Sequence, residues 1–198
     1  MSIVGKKSRL KFAVVCSSNQ NRSMEAHNFL HKRGFNVRSF GSGNCVKLPG
    51  VSIDRPNIFP FDVSYEDMYH QLSNQDHHLY TNNGLLNMLD RNRKIKRNPE
   101  RFQDAREYFD VIICCEERVF DQVIEHLAEG NSGYQPTHVI NMDIQDNHEE
   151  ATVAAFIICE LCQKFEEEAE HLDDMVSDIV SDFEERYKRN MLHCVYYI

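Results

Sequence analysis

The stretch Val14-Val15-Cys16-Ser17-Ser18-Asn19-Gln20-Asn21-Arg22-Ser23 closes an apolar run, residues 10–15, on a cysteine and a polar loop free of proline and glycine. The valine-rich run reads as a short buried strand. After the loop, Ala26, Phe29 and Leu30 recur at helical spacing until Gly34 stops the turn. Phe35 and Val37 then alternate with Asn36 and Arg38 as a second strand. Strand, loop, helix and strand in so few residues make a βαβ unit, hence a parallel sheet with a right-handed crossover. Open sheets of this kind bind ligands at the carboxyl ends of their strands, which is where Cys16 and its loop fall.

The rest of the chain continues that alternation with interruptions. Residues 41–61 are punctuated by Gly41, Gly43, Pro49, Gly50, Pro56 and Pro60 and read as a long irregular connection. Tyr65, Met68, Tyr69 and Leu72 form one helical stripe; Leu85, Leu86, Met88 and Leu89 form another, with Asn83-Gly84 between them. Arg91, Arg93, Lys94, Lys96, Arg97 and Arg101 make a basic cluster, read first as a solvated helix end and second as an attraction for a phosphorylated partner. Residues 111–115 are a third buried strand. Val119, Phe120, Val123, Ile124 and Leu127 mark a helix that ends at residues 130–133.

Residues 137–142 and 151–165 read as a fourth strand and a further helix. Leu172, Met175, Val176, Ile179, Val180, Phe183 and Tyr187 give the last helix one apolar face. The acidic residues Glu166 to Glu170, Asp173, Asp174, Asp178 and Asp182 read as its solvated surroundings. Residues 192–198, β-branched and aromatic, read as a final edge strand. The expected fold class is α/β: an open, twisted, mainly parallel sheet with helices on both faces, carrying an inserted loop and helices and a C-terminal edge strand. One domain over residues 1–198 is expected.

A formal net charge of −9 disfavours direct nucleic-acid binding by bulk electrostatics. No apolar stretch approaches the length of a membrane span, so no membrane partner is expected. Residues 1–9 are polar and lack the apolar core of a signal peptide. Seven cysteines scattered through apolar runs, an odd number, favour a reducing compartment, cytosol or nucleus.

Cysteine, five residues, arginine and a hydroxyl are the parts of thiol-based phosphate-ester chemistry. A thiol at a helix N-terminus beside arginine is expected to be a thiolate at neutral pH, which makes Cys16 the nucleophile. Ser17, Ser18, Asn19, Gln20, Asn21 and Arg22 can curl into a nest whose N–H groups bind three phosphoryl oxygens. Arg22 adds a planar fork that lysine could not copy. Attack by Cys16 gives a phosphocysteine intermediate, and Ser23 is placed to hydrogen-bond the sulfur. No metal and no cofactor is required.

The leaving oxygen also needs a proton, and more so for an alkoxide than for a phenolate. The candidates lie just past the fourth strand, in Asp143, Asp146 and His148, on the same rim as Cys16. Asp146 has a competing role as an N-cap with Glu149 completing a capping box; if Asn147 caps instead, pairing with Glu150, Asp146 is free for acid work. Asp146 is favoured on that ground, with Asp143 second and His148 third. Cys159 and Cys162 share one core face of a helix, and Cys114 and Cys115 sit in a buried strand, so none is read as a redox or metal ligand.

The loop from Cys16 to Ser23 together with the distal aspartate loop resembles the low-molecular-weight protein tyrosine phosphatase fold. The match is nearer to the eukaryotic RNA polymerase II C-terminal-domain serine phosphatases of the mRNA 3′-end cleavage and polyadenylation machinery. It is carried by residues 14–28, Lys47-Leu48-Pro49-Gly50, Asn83-Gly84-Leu85-Leu86, residues 88–92, 99–103, Glu116-Glu117-Arg118 and residues 143–151, spread over nearly the whole chain. The tyrosine phosphatases usually have glycine where Ser18 stands and an aspartate-proline-tyrosine acid loop where Asp146-Asn147-His148 stands, which moves the expected target from tyrosine toward serine.

That resemblance implies a metal-independent phosphatase of phosphoserine followed by a cis proline, at the fifth heptad position of the polymerase tail. It implies Cys16 as nucleophile, Arg22 as phosphate clamp and Asp146 as general acid. Lys47, Leu48, Pro49, Tyr80, Asn83 and Met88 are the implied walls of a peptide groove. The implied partners are the phosphorylated polymerase tail and a symplekin-like scaffold, in the nucleus. Arsenate reductase, a tyrosine phosphatase of the same fold and a non-catalytic phosphopeptide adaptor are the competing readings.

Overall fold

A computed structural model describes residues 8–130 and 133–198. The polar stretch 1–9 and the helix stop at 130–133 fall partly outside these residues. The element order is β1 (Lys11–Cys16), α1 (Arg22–Lys32), β2 (Asn36–Gly41), β3 (Val46–Ser52), β4 (Arg55–Phe59), α2 (Tyr65–Asn82), α3 (Leu85–Arg93), a 3-10 turn (Phe102–Asp104), β5 (Val111–Cys114), α4 (Glu117–Glu129), β6 (Pro136–Met142), α5 (His148–Glu167), α6 (Leu172–Tyr187) and β7 (Met191–Tyr197).

The main sheet has the order β2-β1-β5-β6-β7. The first four strands are parallel, and β7 lies antiparallel to β6 along the sheet edge. From β1 the chain moves first to β2 on one side and later to β5 on the other. The carboxyl end of β1 therefore sits at the point where the winding reverses, the place at which α/β sheets open a crevice.

Alternate strand residues face opposite layers. Phe12, Val14, Val111, Ile113, Ile140 and Met142 pack with α1, α5 and α6. Ala13, Val15, Ile112, Cys114 and Val139 pack with Val119, Phe120 and Val123 of α4. Cys159 and Cys162 are fully buried in the first of these cores, as their helical spacing predicts.

A third core lies outside the sheet, where Val46, Leu48 and Phe59 meet Tyr65, Met68, Leu72, Tyr80, Leu85 and Leu89. Residues 41–61, expected to be irregular, contain the antiparallel pair β3–β4 of that unit. The prolines and glycine that disguised it fit this ribbon, because each strand has a partner on one side only and Pro49 and Pro56 need give up no second ladder bond. α2 breaks at Asp76 (φ −162°, ψ 89°), whose carboxylate accepts from Leu79 N–H and restarts the helix.

Glu166 corrects a second expectation. It is not solvated: its carboxylate is buried and accepts from Ser8 Oγ, Arg9 N–H and Leu10 N–H, capping the backbone that leads into β1. Asp174, Asp178 and Asp182 do face solvent, and Asp173 is exposed while bonding His138.

Candidate active site

Cys16 ends β1 and Arg22 opens α1, so the loop 17–21 bridges a buried strand to a helix N-terminus at the sheet's winding reversal. Ser23 Oγ lies 3.0 Å from Cys16 Sγ. The hydroxyl also accepts from Asn19 Nδ2 at 3.0 Å, and Asn19 Oδ1 in turn accepts from Glu100 N–H. The Glu100 donor fixes which way the Asn19 amide faces. With one bond already received, the Ser23 hydrogen is left to donate to sulfur.

Among the described residues, no backbone N–H of residues 17–21 is bonded to another backbone carbonyl. Asn19 takes a left-handed φ of 52°, the kind of alternation in which successive N–H groups converge on an anion. Gly43 lets the neighbouring chain approach closely: its N–H reaches Ser17 O at 3.0 Å, and a Cβ there would sit 3.0 Å from the same oxygen.

Arg22 is buried and held by one edge. Its Nη1 donates to Glu116 Oε2 (2.7 Å) and Ile144 O (3.0 Å). On the other edge Nη2 reaches Ser17 Oγ only at 3.4 Å, and Nε has no hydrogen-bond partner among the described residues. Burial opposes the charge, but the sulfurs of Cys16 and Cys115 and the carboxylates of Asp146 and Glu116 outweigh it and hold the guanidinium above its ordinary pKa. Burial raises Glu116 as well, yet the bond from Arg22 wins and keeps that carboxyl below its usual range. The Nε–Nη2 edge is thus a permanently charged fork aimed at the loop.

Asp146 and Asp143 are separated by what claims them. Asn147 Oδ1 accepts from Glu150 N–H at 2.9 Å and caps α5, which leaves Asp146 free. Asp146 Oδ1 then accepts from Asn21 Nδ2 at 3.0 Å and lies 3.6 Å from Arg22 Nε, with the residue's side chain still about half exposed. Asp143 Oδ1 is taken up by Glu117 N–H at the start of α4 and by Asn141 Nδ2.

A cleft of about 280 Å³ opens over Cys16. Ser17, Ser18, Gln20 and Asn21 form its phosphate-loop side, and Asp146, Asn147 and His148 its acid-loop side. Lys47, Leu48 and Pro49 of β3 face Asn83, Leu85 and Met88. Gly84 is left-handed (φ 82°) and lies against His148, whose Nε2 is 3.3 Å from Asn83 O. Two expected site residues stand behind this surface. Tyr80 is fully buried with its hydroxyl bonded by Asn57, and Asn19 is buried as the brace for Ser23. Ser18, where a glycine would be usual, accepts from Lys47 N–H at 3.2 Å and ties the hairpin to the loop.

The basic cluster is mostly structural rather than a solvated helix end. Arg91 pairs with Glu25 and donates to Gln20 O, Lys96 donates to Ser39 O and Glu100, and Arg101 donates to Gly43 O. The sequence marks Glu116 only as part of a segment carrying the resemblance and assigns it no site role, although its position just past a strand end on the same rim is the signal that points to it. Cys114 and Cys115 are fully buried, and burial pushes both thiols well above the ordinary range.

The family model described as Ssu72-like protein matches residues 10–198. The chain belongs to the Ssu72 family. Among Ssu72 relatives, the Danio rerio RNA polymerase II C-terminal domain phosphatase SSU72 is 58% identical over 190 residues, covering 94% of this chain and 96% of the relative. The Homo sapiens protein of the same description is 56% identical over 189 residues, covering 95% and 97%. The crystal structure of D. melanogaster Ssu72 with symplekin, bound to a cis peptidomimetic of the C-terminal domain carrying phosphoserine-5, superposes with a TM-score of 0.92 at 49% identity. It covers 96% of this chain and is itself covered completely.

Proposed function

We propose that this chain is a cysteine-dependent serine phosphatase of the RNA polymerase II C-terminal domain, acting on phosphoserine at the fifth heptad position. The observation that carries the reading is the hydroxyl of Ser23, 3.0 Å from Cys16 Sγ and itself fixed by Asn19, at the floor of a loop rimmed by Arg22. A sulfur so solvated is equipped to act as nucleophile and then as leaving group, which a phosphopeptide adaptor has no use for.

In this reading the loop N–H groups and the Nε–Nη2 edge of Arg22 take the phosphoryl oxygens. Cys16 sulfur attacks phosphorus as the seryl oxygen departs, and Asp146 in its acid form gives that oxygen its proton. The products are a free serine hydroxyl, phosphocysteine and an Asp146 carboxylate. That carboxylate next takes a proton from water, whose oxygen attacks phosphorus and expels the Cys16 thiolate. Ser23 donates to sulfur on both occasions. The proline after the phosphoserine would rest between Leu48 and Pro49 on one wall and Leu85 and Met88 on the other, with Lys47 and Asn83 at the margins. Tyr80 supports that groove from beneath through Asn57.

The phosphorylated polymerase tail and a symplekin-like scaffold are the proposed partners, the nucleus is the proposed place of action, and the 198 residues are read as one phosphatase domain. No cofactor or metal enters the steps above. Arsenate reduction is a poor fit, because Cys114 and Cys115 are sealed in the core. Phosphate release from a phosphoserine-5 heptad peptide in the presence of EDTA tests the reading. Wild type is expected to turn over and Cys16→Ser to be inactive; equal slow release by both would sink it.

A further inference from the structure

The phosphate loop is held by its carbonyls. Cys16 O accepts from Ser42 N–H at 2.9 Å and Ser17 O from Gly43 N–H at 3.0 Å, both from the end of β2. Asn19 O accepts from Tyr65 Oη at 2.6 Å. Gln20 O accepts from Asn92 Nδ2 and Arg91 Nη2, each at 2.8 Å. Asn21 O accepts from Glu25 N–H within the first turn of α1 at 2.9 Å.

In a trans peptide the carbonyl of one residue and the N–H of the next point in opposite directions, and the described residues contain no cis bond. Each outer contact therefore turns the following N–H, those of Ser17, Ser18, Gln20, Asn21 and Arg22, to the other side. The β2 end and α1 handle three of the five peptide units. The remaining two depend on side chains of the α2–α3 unit, which lies outside the sheet and has its own core.

We propose that Tyr65, Arg91 and Asn92 are positioning residues for phosphate-ester hydrolysis, aiming the N–H groups of Gln20 and Asn21 at the phosphoryl oxygens. This rests on the phosphatase reading above and adds the source of the nest's geometry. The three side chains are themselves fixed. Tyr65 is fully buried, and burial followed by the nearness of Cys16 keeps its phenol protonated and a donor. Arg91 pairs with Glu25 of α1, and its Nε and Nη2 grip Asn92 Oδ1, which leaves only the Asn92 amide hydrogens to face Gln20 O. The same helix α3 carries Leu85 and Met88 of the cleft wall, so the peptide groove and the phosphate nest share one support.

Tyr65→Phe, Asn92→Ala and Arg91→Lys test this, with Tyr108→Phe as the matched control. Tyr108 also donates to a carbonyl at 2.6 Å, that of Pro136, on a segment remote from the cleft. The readouts are inhibition by orthovanadate, kcat and KM on an aryl phosphate, and the thermal midpoint of each variant. Loss of a dedicated transition-state donor costs about 10²–10³ in kcat, so a misaimed one is expected to cost roughly tenfold, with vanadate inhibition weakened by a similar factor. Tyr108→Phe is expected to keep wild-type inhibition and kcat even if its midpoint falls as far as that of Tyr65→Phe. Wild-type vanadate inhibition in all three loop-side variants overturns the brace alone. A wild-type protein that neither binds vanadate nor hydrolyses the ester overturns the phosphatase reading together with it.

Discussion

Asn21 donates its side-chain N–H to Asp146 across 3.0 Å, so the phosphate loop itself holds the carboxylate that faces it. The two residues lie at separate strand ends of the parallel sheet, after β1 and after β6, and the winding order brings them to one rim. The loop after β1 and the loop after β6 are thereby registered to each other without an intervening element. Arg22 Nε lies 3.6 Å from the same carboxylate oxygen.

If Asp146 is the acid, its contribution must scale with the basicity of the leaving oxygen. Asp146→Asn is expected to slow hydrolysis of a phosphoserine peptide by about 10²–10⁴ while slowing an aryl phosphate with a good leaving group far less. Asp143→Asn is expected to affect both substrates alike and mildly, since Asp143 is engaged at the start of α4. Equal slowing of both substrates by Asp146→Asn would remove the assignment. Steady-state kinetics on the two substrates decides it.

Asn21→Ala removes the side chain that steadies Asp146 while leaving the backbone N–H in place. The expected pattern is a several-fold fall in kcat on the serine ester with little change for the aryl ester. A fall confined to KM would mean that Asn21 only binds substrate.

In the proposed mechanism Ser23 donates to sulfur as it leaves as well as when it attacks. In Ser23→Ala the phosphocysteine loses its hydrogen-bond donor, so breakdown of the intermediate becomes the slow step. Stopped-flow measurement with an aryl phosphate is expected to show a burst of the aryl alcohol close to one equivalent, followed by a steady rate lower by at least about tenfold. A burst-free trace with an unchanged rate would show that the 3.0 Å contact is catalytically idle.

The parts of the candidate site were legible to different depths for a physical reason. Cys16, Arg22 and Ser23 are local: a strand end, a loop length and a helix start bring them together within one short stretch of sequence. For Asp146 the sequence left the cap open between it and Asn147; the structure gives the cap to Asn147, which leaves the Asp146 carboxylate free of that duty. Tyr65, Arg91 and Asn92 left no such trace. They act on backbone carbonyls far away along the chain, and a carbonyl carries no sequence signal for its donor. The β3–β4 pair was hidden by its own prolines, and Glu166 by the acidic residues that follow it.

That buried glutamate makes a stability prediction. Glu166→Gln replaces a carboxylate that accepts three hydrogen bonds with an amide whose NH₂ would confront backbone donors at Arg9 or Leu10. Leaving such a group unsatisfied costs about 1–3 kcal/mol. Glu170→Gln, which removes only an exposed pair with Arg9, is expected to change stability by less than about 1 kcal/mol. Urea midpoints of the two variants check the contrast.

His27 gives one pH-dependent contribution to stability. It is buried on α1 with Nδ1 2.8 Å from Ser39 Oγ. Burial first, then the positive charges of Lys96, His31 and Arg38 against the opposing effect of Glu100, push its pKa down from 6.5 to about 4. Between those values the unfolded chain binds a proton that the folded chain refuses, so stability rises with pH across this window. Its contribution is complete above about pH 6.5 and is lost as the pH falls toward 4. A shift of this size corresponds to a ceiling of roughly 3 kcal/mol. His27→Gln keeps a polar contact to Ser39 but cannot take the proton. The difference between its unfolding free energy and that of wild type is expected to move in favour of the variant as the pH is lowered from about 7.5 to about 4.5. A pH-independent difference would show that His27 takes up its proton in the folded protein as readily as in the unfolded chain.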